Sequence, residues 1–168
     1  MDVRYVNPFV RSICNTFETM CNQTVAVGAP RLKHGNEPGS DVSSVIGFSG
    51  DAAGCVVIHF DFDTASEIAT AFAGTEITPE HPDFADAVGE LANMVAGGAK
   101  AHFDGLDISI SLPNVIVGRN HSVSASKNSP RLVIPCKTKA GTFHVEVGMV
   151  LRKTPAGVSS TVPAGANA

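Results

Sequence analysis

The stretch Val42-Ser43-Ser44-Val45-Ile46-Gly47-Phe48-Ser49-Gly50-Asp51-Ala52-Ala53-Gly54-Cys55-Val56-Val57-Ile58-His59-Phe60 decides the fold. Two apolar, β-branched runs, Val42 to Phe48 and Cys55 to Phe60, flank a segment from Ser49 to Gly54 that holds Gly50, Asp51 and Gly54. Glycine and aspartate adopt turn conformations at low steric cost, so the stretch predicts a β-hairpin. The outline returns near the C-terminus. Ile134-Pro135-Cys136-Lys137-Thr138-Lys139-Ala140-Gly141-Thr142-Phe143-His144-Val145 again passes from an apolar run through a glycine-containing turn into a second apolar run.

Working outward, each hairpin is preceded by a helix and a strand. Asn7-Pro8 reads as N-cap and first helical residue, and Phe9, Ile13, Phe17 and Met20 follow at the spacing of one buried stripe, which predicts a helix over 8–22. Thr24 to Val27 reads as a strand and Gly35 to Ser40 as a loop. After the first hairpin, Thr64-x-x-Glu67 has the form of a capping box, so a second helix is expected from Thr64 to Ala73, stopped by Gly74. Pro82-Asp83 opens the longest helix, over 82–101. Strand alternation resumes at Ile108, Ile110 and Leu112, breaks at Pro113-Asn114 and continues over Val115 to Val117. The polar segment His121 to Pro130 separates it from Leu132 to Pro135 and Thr142 to Leu151. Residues 1–151 thus form one α+β domain with a pseudo-twofold internal repeat: a mostly antiparallel sheet with helices packed on one face. Residues 152–168 are small and polar and are expected to be a disordered tail.

Bulk properties narrow the function. At 168 residues the chain can bury most of its apolar surface without disulfide or metal staples. Cys14, Cys21, Cys55 and Cys136 show neither C-x-x-C spacing nor a zinc-finger pattern, which points to a reducing compartment, the cytoplasm. With 12 Lys and Arg against 16 Asp and Glu, a net charge of −4 and no basic run, nucleic acid is not expected as a partner. The start shows no cationic segment followed by an apolar one, and no apolar run approaches the roughly 18 residues of a bilayer span, so no membrane association is expected. Charged residues make up 17%, below the usual figure of about 25%, and that leaves uncharged surface suited to subunit contacts or docking.

The longest helix carries the chemistry. At about 100° per residue, Phe84, Val88, Leu91 and Val95 form a core stripe about 60° wide, and Asp86, Glu90, Asn93 and Gly97 form a polar file on the opposite side. Surface helices commonly pair acids with Lys or Arg at i+4 for a few tenths of a kcal/mol; this one has neither until Lys100. Gly89, Gly97 and Gly98 each sacrifice about 0.8–1 kcal/mol relative to Ala. Ala87, Gly89, Met94 and Ala96 flank the file, and the small ones are read as lowering the walls around Glu90 and Asn93 so that these can reach into another molecule's cleft.

Asp86-x-x-x-Glu90-x-x-Asn93 with the distal Pro113 resembles the D/S-x-x-x-E-x-x-N plus proline signature of the CheC/CheX/FliY family of chemotaxis phosphatases. Tyr5-Val6-Asn7-Pro8-Phe9-Val10 and Phe17-Glu18-Thr19-Met20 are similar to the opening of the CheX branch. Nineteen residues lie between Asn93 and Pro113, a few fewer than is usual in the family. On superposing core positions, Arg11, Asn15 and Glu18 of the first helix fall opposite Asp86, Glu90 and Asn93, which resembles the single-site CheX pattern and not the double-site CheC one.

The resemblance implies a phosphatase acting on the aspartyl phosphate of a CheY-type response regulator. The regulator then supplies the phosphorylated Asp, the divalent metal and a Lys, and the chain needs no cofactor of its own. Glu90 is expected to pair with that Lys, and Asn93 to orient a water for in-line attack. Gly97 and Pro113 are expected as partner contacts, with Gly97 and Gly98 giving clearance. Asp86 is also read as a partner contact, with a solvated acid of the first turn as the alternative. A homodimer that joins sheets across subunits is implied as well. The rival function is a non-catalytic adaptor that binds a signalling protein through the same helix face; a third is a small-molecule-binding domain, for which no sequence feature speaks.

Other candidates reduce to structure. His34, His59, His81, His102, His121 and His144 show no metalloprotease spacing and read as loop and strand residues. The repeat brings only His59 and His144 together, both in second hairpin strands, and the pair is not taken as a site. Cys55 and Cys136 lie in apolar strands, as inert thiols do, and no G-x-S-x-G or phosphate-binding glycine loop is present.

Overall fold

The computed structural model describes residues 5–34, 39–124 and 130–152. Three helices, α1 (Asn7–Cys21), α2 (Phe62–Ala73) and α3 (Phe84–Lys100), accompany eight strands. The strands are β1 (Ala26–Val27), β2 (Arg31–Leu32), β3 (Ser40–Gly50), β4 (Ala52–Phe60), β5 (Ile108–Ile110), β6 (Asn114–His121), β7 (Leu132–Thr138) and β8 (Gly141–Leu151). They form one antiparallel sheet in the order β1-β7-β8-β4-β3-β5, with β2 also on β7 and β6 also on β3.

The two predicted hairpins, β3–β4 and β7–β8, meet back to back, with β4 against β8 in a register running from Ala52↔Leu151 to His59↔His144. The short strands cross over. β1 of the first half pairs with β7 of the second, while β5 and β6 of the second half pair with β3 of the first. The repeat is therefore a pseudo-twofold whose halves exchange an element, which merges them around a single core.

That core lies between the helices and one sheet face. Val42, Ile46 and Phe48 of β3, Val56, Ile58 and Phe60 of β4, and Val145 and Val147 of β8 are buried together with Phe9, Ile13 and Phe17 of α1 and Leu91 and Val95 of α3. Phe17 stacks on Phe143 at 4.8 Å, and Phe9 meets Phe48 edge-on at 5.7 Å. Among the described residues, no helix is long and apolar enough to cross a membrane.

Several boundaries differ from the sequence reading. Asn7 is the first residue of α1 and not its cap; buried Val6 holds the N-cap position, its carbonyl accepting from the N–H groups of Phe9 and Val10. Met20 lies at the exposed edge of α1, and Cys21 completes the buried stripe, because a straight helix continues it at a spacing of four. The capping box at Thr64 does not form. Asp61 caps α2, accepting the Thr64 N–H at 2.7 Å, so Thr64 lies within the first turn. The first hairpin's own ladder ends at Phe48↔Gly54, as predicted, but the strands continue beyond it because Ser49 and Gly50 pair with Ser109 and Ile108, and Ala52 and Ala53 with Leu151 and Val150, around a turn at Asp51. Gly50 closes it at φ +101°, where a Cβ would stand 2.4 Å from the Asp107 carbonyl oxygen. Leu112 leaves the strand after Ile110, and the strand of the Thr24–Val27 run contains only Ala26 and Val27. His121 closes β6 in place of opening a polar linker. Residues 35–38 of the expected loop, 125–129 of the polar segment and 153–168 of the expected tail lie outside the described residues.

Candidate functional site

The α3 stripe forms as its spacing predicts. Phe84, Val88, Leu91 and Val95 are all at most 2% exposed, which fixes the rotation of the helix and turns the opposite file outward. Asp86 and Glu90 are exposed, and Asn93 and Gly97 are half-buried. None of the three polar side chains forms a hydrogen bond or ion pair with a described residue. Glu90 and Asn93, one turn apart, have Cβ atoms about 5–6 Å from each other.

The flanks behave differently from their reading as lowered walls. Ala87 and Ala96 are buried in the core, and two of the three glycines serve packing inside the molecule. A Cβ on Gly89 would lie 3.2 Å from both Pro113 Cγ and Val115 Cγ2. Val115 is held opposite Ser44 in the β3–β6 ladder, so the sheet presses Pro113 onto α3 beside Glu90. The sequence separation of Pro113 from Asn93 thus closes to direct neighbourhood with the helix. A Cβ on Gly98 would lie 2.3 Å from Ser12 Oγ, which donates to the Val95 carbonyl at 2.7 Å; this glycine lets α1 approach α3. Only Gly97 matches the expected clearance, its nearest neighbour being Ile110 Cδ1 at 3.9 Å from a built Cβ.

A groove of about 680 Å³ runs between α1 and α3. Asn93 and Gly97 line one wall, and Arg11, Asn15 and Thr19 the other. This second wall was absent from the site read in the sequence. Its signal was the Ser12 and Gly98 pair of small residues, legible only once the two helices are known to touch. A second missed feature is Leu112, which is 85% exposed beside Pro113 and projects as an apolar knob.

The face offers an acceptor carboxylate and an amide with both donor and acceptor, and His102 lines the same groove with its Nδ1 2.8 Å from the Gly98 carbonyl. Burial pushes the Cys21 thiol up to about 11 and the Cys136 thiol up to about 12, which removes both as nucleophiles at neutral pH. An exposed carboxylate and carboxamide on one ridge are suited to act on a reactive group that another molecule brings.

The sheet face away from the helices holds a separate polar cluster. Glu146, 1% exposed, receives Lys33 Nζ at 2.6 Å on Oε1 and Arg131 Nη1 at 3.0 Å on Oε2. His59 Nε2 and His144 Nε2 lie 3.4 and 3.9 Å from Oε1, and the two rings, paired across β4 and β8 as the repeat indicated, stack at 4.5 Å. Burial raises the Glu146 pKa, and the surrounding His59, Lys33 and Arg131 more than reverse this, holding it down at about 2. Lys33 and Arg131 also donate to the carbonyls of Val123 and Ser124, pinning that segment over the sheet.

Comparison with known proteins agrees with the geometry. The family profile described as "Chemotaxis phosphatase CheX" matches residues 42–137. The CheY-P phosphatase CheX of Thermotoga maritima is 28% identical over 128 residues, covering 74% of this chain and 83% of the relative. The crystal structure of a chemotaxis protein CheX from Desulfovibrio desulfuricans superposes with a TM-score of 0.80 at 34% identity, over 88% of this chain and 98% of that one. The CheX of Borrelia burgdorferi, solved in complex with CheY, BeF3 and Mg2+, superposes with a TM-score of 0.71 at 25% identity, over 89% and 98% of the two chains.

Proposed function

This chain belongs to the CheX family of chemotaxis phosphatases, and from that premise we propose that it hydrolyses the aspartyl phosphate of a CheY-type response regulator with Glu90 and Asn93. The observation that carries the residue assignment is that both side chains stand outward on one ridge of α3 without a partner of their own.

In this reading the regulator docks on α3. Glu90, an exposed carboxylate, pairs with a lysine beside the regulator's phosphoryl group and fixes the ridge over it. Asn93 accepts a hydrogen bond from a water and donates one to a phosphoryl oxygen, aligning the water opposite the aspartyl oxygen. Attack forms the new P–O bond as the acyl P–O bond breaks; the products are inorganic phosphate and the regulator's aspartate carboxylate. The divalent cation belongs to the regulator and neutralises charge on the phosphoryl oxygens. Pro113 and Gly97 shape the contact on either side of the pair, and Asp86 extends it by one turn. An orienting role worth a hundredfold in rate asks about 3 kcal/mol of Asn93.

We also propose a cytoplasmic homodimer that joins sheets along β6. The outer edge of β6 has no partner strand among the described residues, and Ile116 and Val117 on it are at least 40% exposed. At the other edge, β1 and β2 have only two residues each. Light scattering at micromolar concentration reads the oligomeric state directly, and a monomer there removes the proposal.

The function is tested by phosphate release from a phosphorylated CheY-type regulator with wild type, Asn93→Ala and Glu90→Ala. Loss of turnover in both supports the assignment. Undiminished turnover in both rejects it, and binding without turnover by the wild-type chain makes it an adaptor.

A further inference from the structure

On the sheet face opposite the phosphatase ridge, His59 sits in a hydrogen-bonded relay that dictates where its protons lie. His121 Nδ1 is 2.7 Å from the Gly118 carbonyl, which can only accept, so Nδ1 of His121 is protonated and Nε2 of the neutral ring is an acceptor. Ser43 Oγ, 2.7 Å from that Nε2, donates to it. With its single proton committed, Ser43 must accept from His59 Nδ1 at 2.8 Å. The relay therefore leaves the lone pair of a neutral His59 on Nε2.

That nitrogen is buried, has no hydrogen-bond partner, and faces Glu146 Oε1 at 3.4 Å. A cation placed between that lone pair and the carboxylate oxygen would satisfy both. Lys33 Nζ serves Oε1 but makes no hydrogen bond with His59. His144 Nε2 approaches the same oxygen at 3.9 Å, and the three ligand atoms all lie within 4.8 Å of one another. Bonds of about 2.0–2.1 Å at tetrahedral angles separate neighbouring ligand atoms by about 3.3 Å, close to the His59–Glu146 spacing.

We propose that His59 Nε2, His144 Nε2 and Glu146 Oε1 form a site for a first-row transition-metal dication of the Zn2+ type, which binds by displacing the Lys33 ammonium. Two residues on one strand, 144 and 146, and one cross-strand neighbour, 59, present their side chains to the same sheet face. The outer shell is in place: Ser43 fixes the His59 tautomer and Arg131 holds Oε2 of Glu146. A cleft of about 290 Å³, lined by His59, His144, Ser40 and Thr142, gives the approach path and room for a solvent ligand. Binding requires the stacked His144 ring, 25% exposed, to turn so that its Nε2 converges with that of His59 on the ion. Replacing Lys33 by a dication beside Arg131 raises the local positive charge, so affinity is limited by Lys33, and its removal tightens binding. The proposal is independent of the phosphatase reading.

The test uses the full chain stripped with chelator and titrated with Co2+, followed by its visible ligand-field bands, and with Zn2+ by calorimetry. One equivalent is expected to bind the wild type. His144→Gln and His59→Gln should each weaken it at least about tenfold, and Lys33→Gln should strengthen it about tenfold. Thermal melts establish that each variant folds; if His59→Gln does not, the more exposed His144→Gln decides. Absence of binding, equal affinity in wild type and His144→Gln, or a Lys33→Gln variant that binds no tighter overturns the site.

Discussion

Pro113 rests on the backbone of α3 at Gly89, so closely that a methyl group there would stand 3.2 Å from its Cγ. The contact ties the β5–β6 connection to the residue immediately before Glu90. Gly89→Ala should displace Pro113 by a few tenths of an ångström while improving helix propensity by up to about 1 kcal/mol. The expected result is an unchanged or raised melting temperature with phosphatase turnover reduced about tenfold, since small misplacements at a positioned site are costly. Turnover equal to wild type would show that Pro113 plays no part in the reaction.

Leu112 projects into solvent beside that contact. Burying an exposed leucine side chain against a partner removes apolar surface from water and contributes up to about 1.5–3 kcal/mol. Leu112→Ser should raise the regulator concentration needed for half-maximal rate several-fold and leave kcat within about twofold. Steady-state kinetics separates the two, and a fall in kcat alone would contradict a docking role.

Gly98 and Ser12 lock α1 to α3. Gly98→Ala sets a methyl group against Ser12 Oγ and should destabilise the fold by about 1–3 kcal/mol. Removing the hydroxyl as well, in Ser12→Ala/Gly98→Ala, should recover part of that loss, because the two sites share one contact. Denaturant unfolding of the four proteins gives the coupling; strict additivity would remove the contact as the cause.

Glu146 makes stability depend on acid. Its folded pKa, about 2, lies below the ordinary value of 4.5, so its contribution is fully present above pH 4.5 and is lost as the pH falls towards 2. The melting temperature of the wild type should decline through that window. Glu146→Gln leaves Lys33 and Arg131 without their counter-charge and should cost about 3–5 kcal/mol at pH 7. Its melting temperature should also fall less steeply between pH 4.5 and 2 than that of the wild type. Parallel curves would assign the acid sensitivity elsewhere.

The reach of the sequence can be judged from particular residues. Phe84, Val88, Leu91 and Val95 report the orientation of α3 because one helix period determines which side is buried, and that is enough to turn Glu90 and Asn93 outward. The hairpins were legible for the same local reason. Gly89 and Gly98 were misread because a glycine in a helix announces close approach but not what approaches; Pro113 and Ser12 are brought there by pairings far away in the chain. Thr64 lost its capping role to Asp61, an equally good cap three residues earlier, since the end of β4 already delivers the chain to Asp61. The crossing of β1 and β6 between halves leaves no local trace in either segment.

That crossing makes the two halves mutually dependent. If the backbone were cut between α2 and α3, each fragment would present a hairpin lacking its outermost ribbon, with the missing piece carried by the other fragment. Catalytic competence would then return only on reassembly, because the ribbon that sets the proline beside the acidic residue is itself hydrogen-bonded to the opposite fragment.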